Sequence, residues 1–394
     1  MEFGSENGAA SELQAARLER GWTQARVISA LTTQSRKTGV SVAEPRSLKT
    51  MLSRWENGAG QPDRVYQRLF CLIYDHDPEE LGFIAASSAP SRTPHIAPVL
   101  DPETVSYFRD VFWQHVQADN LMGPHHLVEV VRAQARLLDQ VLPDATAEVR
   151  SDLRKLACRY NEFTGWLYQD AGNPKNAMCY TDRALDYALA DGNPTDVAYL
   201  LMRKTNITND LDSPSRALGL SDAGMRDGRV APRVRALILV QRARALAMSK
   251  DIAGCERAVD AAYSEVARSD ANDDDNAAYC NLAYIEMEAA ACWSELGLPE
   301  RALPAFDRAL DNWPAQMRRD LGLCQTRLAI AHARAGNPHE ACMAGVQAVN
   351  TASNATSART LRDLSRLRES LAPWRRDARV SELTTQIRSL VHAA

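Results

Sequence analysis

No run of about 18 or more consecutive apolar residues occurs in this chain of 394 residues, so a membrane-spanning helix is not expected. The first ten residues, Met1 to Ala10, hold no apolar core of a secretory signal. The eight cysteines (71, 158, 179, 255, 280, 292, 324 and 342) show no C-x-x-C and no paired spacing. That scatter excludes a disulfide framework and points to small buried apolar side chains in a reducing cytoplasm. Catalytic signatures are missing too: there is no G-x-x-x-x-G-K-[ST], no H-E-x-x-H and no G-x-S-x-G. An enzyme is not expected, and no cofactor is implied. Adjacent histidines such as His125 and His126 point in different directions and lack a third ligand, so no metal site is read there.

What is present is helix-forming sequence in two blocks of unlike charge. The whole chain has a net charge of −4, yet from Arg17 to Arg54 eight Lys/Arg face only Glu19 and Glu44, giving this stretch +6. A basic module on an acidic body is the pattern of a nucleic-acid regulator. Residues 87–102, SSAPSRTPHIAPVLDP, break any helix with four prolines. They read as a semi-rigid linker. The expected organisation is a flexible 1–10, a first domain over 11–86, the linker, and a second domain over 103–394.

Within the basic block, Ser53-Arg54-Trp55-Glu56-Asn57-Gly58 and, upstream, Leu13-Gln14-Ala15-Ala16-Arg17-Leu18-Glu19-Arg20-Gly21-Trp22-Thr23-Gln24 stand in order. Together they resemble the helix-turn-helix of Cro/C1-type repressors: its first helix, the start of its second, and the end of its recognition helix. The resemblance implies double-stranded DNA as partner. It gives Gln24, at the second helix's start behind a Thr23 cap, a role on the DNA backbone. It places Lys49, Thr50, Ser53 and Arg54 on the base-reading face, opposite Leu48, Leu52 and Trp55. Lys and Arg suit guanine, while Thr and Ser adapt. Arg46 and Arg17 read as phosphate contacts, and Lys37, with Arg36, as a reach to an adjacent phosphate. The usual turn of about 3–4 residues is here a longer interval, Gln34 to Pro45. Either the second helix is longer or the recognition helix is re-angled.

The second block repeats. Gly172, Asp212, Lys250, Gly297 and Gly336 are spaced 40, 38, 47 and 39 residues apart. Each is followed after five residues by Ala177, Ala217, Cys255, Ala302 or Ala341, and after twelve by Ala184, Gly224, Ala262, Ala309 or Ala348. Pro174, Pro214, Pro299 and Pro338 lie where a helix's first turn accepts proline. The pattern predicts a helix, a tight turn, and a second helix packed through small residues. It resembles the tetratricopeptide repeat, whose usual period is about 34 residues. The widest gap holds Ser269 to Asn276, an Asp-rich solvated loop. Residues 103–158 and 361–391 are expected to cap the array.

The predicted fold is therefore all-α: a small Cro/C1-like helix-turn-helix domain, then a tetratricopeptide-like solenoid of helical hairpins. The repeat register puts Arg159, Glu162, Trp166 and Gln169, then Tyr199, Met202, Asn206 and Asn209, then Arg244, then Tyr284 and Met287 on the concave face. Asn206 and Asn209, three apart, suit the backbone of an extended peptide. The domain order is similar to regulators of actinobacteria and to peptide-responsive regulators of Gram-positive bacteria. It implies a cytoplasmic, nucleoid-associated homodimeric regulator that senses a peptide or protein. The alternative is an interaction scaffold whose helix-turn-helix contacts protein.

Overall fold

The computed structural model describes residues 9–83 apart from 39, 75, 77 and 79, and residues 100–393 apart from 270–275, 316, 355 and 356. Most of the linker read from the sequence, residues 87–99, and the Asp-rich loop's centre lie outside that set, as do residues 1–8. The chain divides into two compact units, residues 1–98 and 99–394. Among the described residues both are helical, with no strand, and no helix is long and apolar enough to cross a membrane.

Unit 1 comprises α1 (Glu12–Glu19), α2 (Gln24–Thr38), α3 (Pro45–Glu56) and α4 (Arg64–Tyr74). Each gives one apolar stripe to a shared core that includes Leu13, Val27, Leu31, Leu48, Leu52 and Phe70. Trp55 packs 5.0 Å from Tyr66 and 5.7 Å from Phe70, ring centre to ring centre. Trp22 is half-buried and lies 5.8 Å from Tyr74. The long interval before α3 resolves simply: α2 runs for 15 residues to Thr38, so helix occupies much of what reads as loop.

Unit 2 opens with α5 (Pro102–Met122) and α6 (Val128–Val141). Asp101 caps α5 by accepting the Thr104 N–H, and Pro102 is its first residue. The last two positions of the proline-rich segment thus belong to this unit. Helical pairs follow: α7 (Ala147–Asp170) with α8 (Pro174–Asp191), α9 (Pro194–Asp210) with α10 (Pro214–Gly224), and α11 (Pro232–Met248) with α12 (Ile252–Ala267). Next come α13 (Leu282–Leu296) with α14 (Pro299–Asp311), α15 (Arg318–Arg334) with α16 (Pro338–Asn354), then α17 (Ala358–Ser370) and α18 (Ala378–Ala393).

The five anchors of the repeat all sit at one kind of turn. Gly172, Asp212, Lys250, Gly297 and Gly336 have φ of 81°, 52°, 61°, 77° and 82°, and Asp212 and Lys250 are the non-glycine residues of positive φ among those described. In each, the anchor N–H donates to the carbonyl three residues back, and the next N–H to the carbonyl five back, as in Asn173 to Tyr168 and Asn337 to His332. This left-handed closure satisfies carbonyls that the helix end would otherwise leave open. The small residues at five and twelve beyond are buried, all nine non-glycines at 0% exposure, so paired helices approach closely. Gly165 shows how closely: a Cβ there would stand 2.8 Å from Thr181 Oγ1 and 3.0 Å from the Ala177 carbonyl oxygen. Thr181 cannot swing clear without losing its 2.7 Å bond to that carbonyl. Gly165→Ala would gain about 1 kcal/mol of helix propensity. Overpacking outweighs it, with a net loss of about 1–2 kcal/mol expected in chemical denaturation; a stabilised variant would contradict the close α7–α8 approach.

The array also closes on itself. Ser357 donates to Asp170 at 2.6 Å and Arg359 at 3.1 Å, and Arg362 pairs with Asp210 at 2.9 Å. These bonds tie α17 and its N-terminal approach to α7 and α9, so the last hairpins meet the first.

Candidate functional sites

In unit 1 the candidate surface is the outer face of α3. Leu48, Leu52, Trp55 and Glu56 point inward, while Arg46, Lys49, Thr50 and Arg54 are exposed and Ser53 is half-buried. Pro45 at the first position fixes the helix start. Across a cleft from Lys49 stands α2, with Gln24 at its N-terminal end and Arg36 further along. Thr23 Oγ1 accepts the Arg26 N–H at 3.2 Å, which caps that end. Lys37 is exposed on the last turn of α2. Among the described residues Arg36, Lys37, Arg46, Lys49 and Arg54 make no ion pair.

Arg17 departs from its expected role. Its Nε donates to Glu56 Oε1 at 2.6 Å and its Nη1 to the Trp22 carbonyl at 3.0 Å, and only 12% of its side chain is exposed. Gln24 Nε2 donates to the other Glu56 oxygen at 2.9 Å, so one of the amide's two hydrogens is already committed. Ser11 Oγ donates to the Glu56 carbonyl at 2.7 Å. Glu56, fully buried, thus fastens α1, α2 and α3 together. Arg17 is an internal strut, a role that a basic residue inside a basic block does not announce.

In unit 2 a cavity of about 390 Å³ opens on the inner face of the array. Of the expected concave residues, Glu162, Trp166, Tyr199, Met202, Asn206 and Tyr284 line it. Arg159 instead borders a separate depression beside Asp196. Arg244 borders another with Glu288 and Arg327, where it pairs with Asp210 at 2.7 Å. Met287 is buried in the core. Asn209 does not stand beside Asn206 as a second clamp: it is wholly buried and donates to the Gln241 carbonyl at 2.9 Å. Three residues is just short of a helical turn, and here the difference carries Asn209 from the cavity wall to the next helix.

Ion pairs run beneath and around the cavity. Arg203 meets Glu162 at 2.9 Å and Gln169 at 2.9 Å; Gln169 in turn donates to Asn206 at 2.6 Å and Asp210 at 2.7 Å. Arg319 contacts Asp119 at 2.5 Å and Asp170 at 3.4 Å, and Arg359 contacts Asp170 at 3.1 Å and Asp320 at 3.0 Å. The three guanidiniums stand 5.0, 5.1 and 4.5 Å from the centre of the Trp166 ring. Neither Arg319, Arg359, Asp119 nor Asp170 follows from the anchor pattern. A signal did exist for others: Arg203 lies 41 residues from Glu162, and Arg327 lies 39 from Glu288 and 36 from Asp363, each pair bonded. Charges recur on the inner face near the repeat length.

Burial would raise the pKa of Asp170 and Asp210, but Arg319 and Arg359 for the first, Arg244 and Arg362 for the second, hold both below the usual carboxylate range. Asp119 and Glu162 go the other way: burial lifts them more than Arg319 and Arg203 lower them. Lowered carboxyls contribute stability above their unfolded pKa and lose it as pH falls through the folded one; raised carboxyls take up protons in the folded state first, so folding gains as pH drops. These carboxyls therefore favour folding as pH falls from neutral toward about 5 and oppose it below about pH 4, whereas His115 and His332, whose pKa burial lowers, cost stability as pH falls below the usual histidine range. Calorimetry reads the carboxyl part as a difference: the wild-type transition should rise relative to that of Glu162→Gln as pH falls from 7 toward about 5. Parallel curves for the two proteins would contradict the assignment.

Among the described residues no cluster of His, Cys, Asp or Glu has the form of a metal site. His125 and His126 are exposed in a short 3₁₀ turn. None of the eight cysteines is in a disulfide; Cys179 is exposed, Cys71 half-buried and the rest buried. Models of known protein families do not match the chain, and neither do curated proteins.

Proposed function

We propose that this chain is a sequence-specific DNA-binding transcriptional regulator. In this reading unit 1 is a Cro/C1-type helix-turn-helix module, and unit 2 is a tetratricopeptide-like body that binds an effector in its cavity and mediates dimerisation. The observation that carries it is α3: four of its residues at helical neighbours, Lys49, Thr50, Ser53 and Arg54, face outward or partly so, while the opposite stripe is locked in the core. Such a helix can enter a major groove, with its cations at guanine edges. Arg46 in its first turn, and Arg36 and Lys37 on α2, suit flanking phosphates. A protein-contacting scaffold has no need of five unpaired cations around one helix, which favours DNA. Two copies would address half-sites one helical turn apart.

Phosphate and base roles separate by salt dependence. Lys37→Ala/Arg46→Ala should weaken duplex binding equally on all sequences and reduce the slope of log K against log salt by about two. Anisotropy titrations of the full chain at several salt concentrations read this. An unchanged slope would remove both residues from the interface, and no duplex binding at low salt would refute the reading.

A further inference from the structure

The cavity of unit 2 is walled by both ends of the array: Trp113 on α5, Trp166 on α7, Tyr199 on α9, Tyr284 on α13 and Arg359 on α17 all line it. Ser357 and Arg359 bound to Asp170 close the array where an open solenoid would leave a trough. An extended peptide running along the inner face would have to part these bonds, and Asn209 is not free to clamp its backbone. About 390 Å³ lies instead within the small-molecule range of roughly 300–1,000 Å³. Phe112, Phe163 and Tyr279 add three more rings to the wall, so the body it suits is apolar and aromatic.

Charge narrows the ligand further. The guanidiniums on the cavity wall are Arg203, Arg319 and Arg359, and the carboxylates paired with them are Glu162, Asp119, Asp170 and Asp320. Three positive charges therefore meet four negative ones, and Arg159 stands apart in the depression beside Asp196. The two signs also differ in access. Asp119 and Asp170 are sealed, whereas Glu162 and Asp320 keep 11% and 20% of their side chains exposed, each more than the arginine it pairs with. Glu162 spends only Oε1, on Arg203 Nε at 2.9 Å and on the Tyr199 hydroxyl at 3.4 Å. Its Oε2 accepts no hydrogen bond among the described residues and, unlike Asp119 Oδ1, is not closed off. A buried residue of the cavity wall thus holds out one charged acceptor. The Tyr199 ring lies beside the same carboxylate, and an aromatic face attracts a cation.

We infer that unit 2 binds a small organic cation with an apolar aromatic body, its charge seated against Glu162 Oε2 and balancing the excess carboxylate. This deepens the reading of the cavity as the effector site and rests on it. A neutral molecule of the same shape leaves that acceptor and its charge uncompensated, and an anion adds to the excess, so the site discriminates by charge.

The test is calorimetric titration of the full chain with three molecules that share one ring system: 2-naphthylmethylammonium, 2-naphthylmethanol and 2-naphthoate. The ammonium should bind at least about tenfold tighter than the alcohol, and the carboxylate weakest of the three. Glu162→Gln brings the charges to balance, so it should erase the preference for ammonium over alcohol while the alcohol binds as before. If that variant does not fold, Asp320→Asn removes one unit of the same charge from a more exposed side chain and should lower the preference several-fold. Alcohol or carboxylate binding as tightly as the ammonium overturns the inference. So does a preference unchanged in whichever variant folds, or no ammonium binding through about 1 mM. DNA affinity measured on the same protein separates the two readings: intact duplex recognition without ammonium binding refutes the ligand class alone, and the reverse refutes the regulator alone.

Discussion

Replacing Lys49 and Arg54 together by alanine is expected to erase most of the protein's preference for a cognate duplex while leaving its weak binding to any DNA. Each good contact to a guanine edge is worth about 1–3 kcal/mol of discrimination, so the pair should cost roughly 30-fold to 10⁴-fold in the specificity ratio. Both side chains are exposed, so folding should change by no more than about 0.5 kcal/mol. Anisotropy at one fixed salt concentration, on a cognate and a scrambled duplex, reads the ratio directly. The contrast is with Lys37→Ala/Arg46→Ala, which should lower both affinities in parallel. If the Lys49/Arg54 variant keeps its ratio, α3 does not read bases.

The second large effect is on stability. Asp170→Ala should lower the unit 2 transition by roughly 5–15 °C, because it strips a fully buried carboxylate from Arg319, Arg359 and Ser357 at once. Removing one partner of a buried ion pair costs about 3–5 kcal/mol through the charge left behind. Asp170→Asn, which keeps the shape and an acceptor, should fall between. The same change should loosen α17 from α7 and so open the cavity wall. Scanning calorimetry checks both variants. A shift under 1–2 °C would mean that array closure does not depend on this carboxylate.

The repeat was the most legible part of the chain. Its anchors and small residues answer to local demands, a left-handed turn and a close helix contact, and such demands leave residue types at fixed spacing. The prolines did the same: Pro174, Pro214, Pro299 and Pro338 each begin a helix. The α3 face was legible for a similar reason, since one helix's period separates Leu48, Leu52 and Trp55 from Lys49, Thr50 and Arg54. What escaped was long-range. Ser357 and Arg359 meet Asp170 across 187 and 189 residues, and no spacing rule within a hairpin anticipates array closure. Arg17 was misplaced because charge alone cannot tell a cation facing solvent from one held by a buried Glu56. Asn209 was misplaced because neighbours on a helix surface can still divide between a cavity and the next helix.

The most direct test of the central claim is selection of genomic DNA fragments by the full chain, followed by anisotropy on the enriched fragment and its scrambled control at one stated salt concentration. The account predicts an enriched fragment bound at least about a thousandfold tighter than the scrambled duplex. No enrichment, or equal affinity for the two duplexes, would contradict sequence-specific recognition and leave the helical units as a protein-binding scaffold.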